Sequence, residues 1–262
     1  MLRIGARVTL LLVLFASNST PAAPVGPAAA LAPTGRLRAA INVGNPVLAQ
    51  KNPTSGALGG VSVALARELG KRLGLAVDLV PYDAAGKVSA DSTHHVWDLA
   101  FLARDPDRAE NIVFTAPYVL IEGTYLVHAA SPFKGVEDLD QPGVRIAVGS
   151  GAAYDLYLAR TLKNAQLVRL PSSQAAIDQF LTSFELEAAA GVRQALVAST
   201  RGKPGFRVLD PGFSRIDQAL AIPRDHAAAL PYLEAFLREM KASQFIRHAL
   251  DESGQQDAVV SR

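Results

Sequence analysis

Residues 97–127 read WDLAFLARDPDRAENIVFTAPYVLIEGTYLV, and the way this stretch divides decides the fold. Trp97–Leu102 is apolar and reads as a strand. A polar turn follows, carrying Arg104 and Arg108. A second apolar run and a long extended segment then lead away through Glu122 and Gly123 to Val127. A strand that ends in a turn with two arginines forms one wall of a cleft for an anionic group, because a guanidinium is a rigid fork of donors. Gly123 beside Glu122 permits bending, so the segment that leaves this wall reads as a hinge.

Working outward, the upstream chain supplies matching elements. Arg36–Val43 alternates, ends in β-branched residues and reads as a strand stopped by Gly44, Asn45 and Pro46. In GGVSVALARELGKRLGL the apolar residues Val63, Ala66, Leu69 and Leu73 have helical spacing, and Gly74 stands at the C-terminal cap. Ala76–Tyr82 is a second strand, and Asp83–Val96 a loop and helix before the strand at Trp97. Downstream the order repeats: strand Val144–Val148, helix Ala152–Leu162, strand Ala165–Leu170, helix Ser172–Thr182 and a short small-residue strand Leu186–Val192. Phe206–Leu209 and Ala219–Pro223 are further short strands, and Ala227–Leu250 closes as helix. Alternating strands and helices predict parallel sheet covered by helices. Two such units in succession predict an α/β protein of two lobes, with ligand held in a cleft between strand ends.

The chain has 262 residues, 49% hydrophobic and 19% charged, so it carries enough apolar material for a sizeable core. It has no cysteine, which excludes disulfides, thiolate zinc sites and cysteine nucleophiles. Arg3 and Arg7 precede the apolar run Val8–Ala16, and small residues follow, the pattern of a secretory signal peptide over residues 1–23. Residues 24–35, rich in Pro, Ala and Gly, read as a flexible lead-in. Removing Arg3 and Arg7 brings the formal charge from +2 to about zero, which argues against a polybasic nucleic-acid binder.

In order and spacing these segments resemble the family-three extracellular solute-binding proteins, the polar-amino-acid type that serves ABC importers. The resemblance is carried by GGVSVALARELGKRLG, the 97–127 stretch, SPFKGVEDLDQPGVRIAVGSGAAYDLYL and LPYLEAFLREMKASQFIRHALDESG, from Arg36 to Gly254. It implies a type II periplasmic-binding-protein fold, a central cleft and two crossover strands. One lobe would be 36–122 with 218–262, and the other 127–216. It further implies a periplasmic monomer whose partners are a small anionic or zwitterionic solute and the membrane subunits of an importer. No cofactor or metal is expected.

Arg108 occupies the position of the family's ligand-carboxylate arginine. Its bland alternative is a surface arginine paired with Asp105 or Glu110. The turn VGSGAAYDLYL ends a strand with Gly149 and Gly151 and opens a helix, where backbone N–H groups and the helix dipole attract anions. The resemblance assigns ligand contact there to Gly151, Ala152 and Ala153. It is not a dinucleotide fingerprint, because the third glycine would fall at Tyr154.

Departures from the family are as informative. Amino-acid-binding relatives hold the ligand ammonium with acids, whereas this chain aligns Asn45 and Val192 at those places, and Leu48 where an aromatic ring often lies. A closed cleft that takes an ammonium needs a nearby negative charge. Asp105 or Glu122 would have to supply it. Ala103 and Arg104 replace the usual hydroxyl-bearing turn, and Arg104 adds positive charge if it faces the ligand. Glu122, if it faces the cleft, is expected to be desolvated with a raised pKa. Its alternative role is a hinge carboxylate bonded to backbone.

The expected function is the periplasmic solute-binding component of an ABC importer, closing on an amino acid or related organic acid. The alternative is an enzyme on the same scaffold, resembling periplasmic cyclohexadienyl dehydratases, with Glu122 as general acid.

Overall fold

The computed structural model describes residues 26–262. The signal-peptide expectation lies outside them. The first described element is helix α1 (Pro27–Leu31), with Leu31 and Ala32 fully buried. Residues 27–32 are thus packed structure where the composition predicts a flexible lead-in. The cause is that Leu31 belongs to the main core cluster.

Strand β1 (Arg36–Asn42) buries Leu37, Ala39, Ala40 and Ile41. A small hairpin, β2 (Gln50–Lys51) with β3 (Leu58–Gly59), leads into helix α2 (Val61–Leu73). Buried Val61, Leu65, Ala66 and Leu69 form the inner stripe of α2. Gly74 ends it in the left-handed conformation, donating to the carbonyls of Gly70 and Lys71, as the cap residue predicts. Strand β4 (Ala76–Tyr82), helix α3 (Ala85–Ala90) and strand β5 (Leu99–Ala103) complete the first unit. Trp97 packs fully buried beside it and donates its Nε1–H to the Val88 carbonyl at 3.0 Å.

The apolar run of the opening stretch is one 17-residue strand, β6 (Ile112–His128). Strand β7 (Arg145–Gly149), helix α4 (Ala153–Thr161), strand β8 (Gln166–Leu170), helix α5 (Ser173–Thr182), strand β9 (Ala188–Val192) and helix α6 (Arg193–Ser199) follow. Every residue of β9 is alanine, glycine or valine, and all are buried. Small side chains let helices close on it: a Cβ on Gly191 would stand 2.9 Å from the Leu196 side chain. Strand β10 (Phe206–Val208) pairs with the end of β6, and β11 (Ser214–Pro223) runs antiparallel along β6.

The C-terminal apolar stripe forms two helices, α7 (Leu230–Ala242) and α8 (Phe245–Glu252), where its periodicity reads as one. The break is at Gln244, which adopts φ 63° and reverses the chain. Strand β12 (Val259–Val260) returns to pair with β6.

One sheet runs through the molecule in the order β4-β1-β5-β11-β6-β9-β7-β8. Its first arm, β4-β1-β5, is parallel, and so is its second, β9-β7-β8. The antiparallel pair β6 and β11 joins the arms: β11 meets β5 at residues 218–221, and β6 meets β9 at 123–127. The loops after β5 and β7 therefore face each other across the junction.

Candidate functional site

Those two loops carry Arg108 and the Gly149–Ala153 turn. Arg108 is 3% exposed. Its Nη1 donates to the Ala103 carbonyl at 2.9 Å, and its Nη2 to the Gly151 carbonyl at 2.8 Å. Its Nε is buried with no partner among the described residues. No carboxylate within the described residues forms an ion pair with it, so neither Asp105 nor Glu110 plays that part. Burial pushes its pKa down to about 10, against the opposing pull of Asp105 and Asp107. A shift of that size corresponds to about 3 kcal/mol of unfavourable desolvation of the cation.

Beside Arg108 lies a small cavity of about 40 Å³. Asn45, Ala103, Arg108, Ala152, Ala153 and Val192 all line it, so six of the ten residues selected from sequence converge there. Phe101, Tyr154, Ser173, Ile216 and Gln218 line it as well. These, like Asn42, Gly44, Ala85 and Leu102 on the same lining, were missed, though a lone amide, Gln218, in the apolar run IDQALAIP was a usable signal. Tyr154 donates its hydroxyl to Ser173 Oγ at 2.8 Å, and burial raises its pKa to about 12. Asn45 Oδ1 accepts from the Val47 N–H at 3.2 Å, which leaves its NH₂ as the free end.

The structure places the other four of the ten residues away from the cavity. Gly151 does not line the cavity, and its N–H donates to Asp155 Oδ2 at 2.9 Å. Its carbonyl, not its amide, points to Arg108, because φ at this residue is 69°. Leu48 is 2% exposed within the core and lies outside the cavity. Arg104 is exposed and borders an open groove of about 760 Å³ with Arg215 and Arg224. Successive side chains around the turn point apart, so Arg104 and Arg108 do not share a face.

Glu122 is the fourth. It sits on β6 at the junction and lines a separate hollow of about 850 Å³. It pairs with Arg193 and accepts from the Gly212 N–H at 2.7 Å. The Arg193 guanidinium holds its carboxyl below the usual carboxylate range, the reverse of the expected upward shift. Its bond to the Gly212 N–H is the backbone contact that the alternative reading expects.

Asp105 is also occupied. Its carboxylate, 6% exposed, accepts from Arg160 of α4 at 2.8 Å, and Asp107 meets the same guanidinium at 2.7 Å. These pairs join the loop after β5 to the second arm. A backbone contact reinforces them: a Cβ on Gly86 would lie 2.7 Å from the Ser150 carbonyl oxygen and 3.1 Å from Gly151 Cα. The two arms are therefore in direct contact, with the cavity between them. Among the described residues no group of acids and histidines forms a metal site, and no helix is long and apolar enough to cross a membrane.

A sheet of two parallel arms, joined by two long strands around a cavity with one buried cation, is the fold of a two-lobed solute-binding protein. The chain belongs to the bacterial extracellular solute-binding proteins, family 3, whose profile matches residues 37–253. Solved structures agree on the fold. A mutant of ArgBP from T. maritima superposes with TM-score 0.75 at 19% identity, covering 87% of this chain and 98% of that one. The cysteine-binding protein from Campylobacter jejuni gives 0.74 at 19% identity, covering 84% and 90%. An ancestral amino acid-binding protein, AncCDT-1, a precursor of cyclohexadienyl dehydratase, gives 0.71 at 21%, covering 84% and 96%. No curated protein matches the chain.

Proposed function

We propose that this chain is the periplasmic solute-binding component of an ABC importer, and that it closes its two lobes on a small carboxylate-bearing solute. The observation that carries this is Arg108: a buried cation with neither a counter-ion nor a partner for its Nε among the described residues, at a small cavity between the arms of the sheet. A carboxylate there completes the guanidinium's donors and offsets its desolvation. The lobes are 36–122 with 218–262, and 127–216. Support for that division is that β6 and β11 carry the chain between the parallel arms. Family membership and neighbours described as binding proteins support a binding role. Closure presents both lobes together to a membrane partner.

The test is calorimetry and thermal shift against amino acids and organic acids, on the parent and on Arg108→Ala. A solute bound by the parent and lost by the variant is the expected result. Equal affinity in both overturns the role given to Arg108.

A second reading, an enzyme like cyclohexadienyl dehydratase, is favoured by the likeness to AncCDT-1. Its weakness is local. Glu122, the acid it needs, is paired with Arg193 outside the cavity. Product formed from prephenate or arogenate would establish it over the first.

A further inference from the structure

We propose that the cleft takes a short monocarboxylate whose second carbon bears an uncharged oxygen, keto or hydroxyl, where an amino acid bears its ammonium. This rests on Arg108 as the carboxylate anchor and names the ligand class for that same cavity.

The charge inventory around the cavity points one way. Arg108 is its one charged lining residue. The nearby acids are engaged elsewhere: Asp105 with Arg160, Glu122 with Arg193, Asp155 with the Gly151 N–H and Arg169. At the two positions where the family resemblance calls for ammonium-binding acids stand Asn45 and Val192, and both line the cavity. An ammonium closed in here would lose its water beside a cation and meet no anion. That repels an α-amino acid, whereas a neutral oxygen loses less on leaving water and can recover it from a donor in the lining.

The lining is also rich in donors. Arg108 Nε is unpartnered. Asn45 has its oxygen engaged with the Val47 N–H, which leaves its NH₂ as the donor. Ser173 Oγ accepts from Tyr154, which leaves the serine proton to donate. A carboxylate beside a keto or hydroxyl oxygen can accept from that set, and Gln218, whose amide both donates and accepts, can meet a hydroxyl as well. An ammonium, a donor only, can use none of these donors. The cavity is small, about 40 Å³, which directs the test to short acids.

The experiment uses three ligands of one shape: pyruvate, L-lactate and L-alanine. Each is titrated by calorimetry into the full chain, the parent and Val192→Asp. Pyruvate or lactate should bind the parent at least about tenfold more tightly than alanine. Val192→Asp should reverse that order, because it installs a carboxylate where an ammonium would lie. Asn45→Asp serves if Val192→Asp does not fold. Alanine bound to the parent as tightly as the oxygen acids overturns the class. If that alanine binding is lost in Arg108→Ala, the anchor stands and only the class falls. Binding of none of the three overturns the class whatever else binds. Failure of every amino and organic acid overturns the proposed function too.

Discussion

Arg108 Nη2 donates to the Gly151 carbonyl at 2.8 Å, and this bond ties the loop after β5 to the turn after β7. Arg108 therefore serves two ends. One end of its guanidinium holds the arms together, while Nε stays unpartnered beside the cavity. A solute that reaches Nε binds a cation already held in place, so little side-chain entropy is lost on binding.

Arg108→Met tests whether the residue serves the ligand or the fold. Relief of about 3 kcal/mol of desolvation is set against two lost hydrogen bonds of about 1 kcal/mol each. Urea denaturation of the free protein should show a stability change within about 1 kcal/mol, while solute affinity falls by about a hundredfold or more. A loss of stability well beyond that would make Arg108 a structural residue.

Arg160 is the cross-arm partner of Asp105 and Asp107. In Arg160→Ala the Asp105 carboxylate, now 6% exposed, loses its counter-ion, and the closed form should weaken by about 1–3 kcal/mol. Solution scattering should report a larger radius of gyration for the variant without ligand. An unchanged radius would show that the pair does not hold the arms closed.

Gly86→Ala places a methyl against backbone of the opposite turn, 2.7 Å from the Ser150 oxygen. Backbone cannot swing aside as a long side chain can, so the arms must separate. Ligand affinity should fall with unfolding temperature nearly unchanged, since opening relieves the clash. A fall in both would place the strain inside one arm.

Glu122, on β6 where the two arms join, gives that junction a pH dependence. Its carboxyl is held below its ordinary 4.5 by Arg193, so the folded chain binds the proton more weakly than the unfolded one. Its stabilisation is full above about pH 4.5 and is lost as pH falls through the depressed value. The half-exposed pair contributes modestly, about 1 kcal/mol or less. Glu122→Gln should flatten the stability slope below pH 4.5, measured by denaturation from pH 3 to 7. An unaltered slope would assign acid sensitivity to other carboxylates.

The two α/β units were legible because their elements are local. Apolar spacing and Gly74 specify α2, and alternation specifies β1. The break of the last helix at Gln244 was not legible, since a left-handed glutamine leaves no mark on an apolar stripe. The six convergent site residues sit at strand ends or just beyond them, positions that turn chemistry makes visible. Gln218 and Ser173 come from distant segments, and strand order alone brings them to Arg108.

Sequence alone determined that an arginine stands at position 108 and that Asn45 and Val192 are not acids, because residue types are read without coordinates; the burial of Arg108 came from the fold. Only the tertiary structure decided whether another acid takes their place. Asp105 turns to Arg160 and Glu122 to Arg193, since each lies nearer a partner distant in sequence than the cavity. Side-chain direction at a turn or hinge depends on what packs across from it, and that is a property of the folded arms rather than of the stretch 97–127.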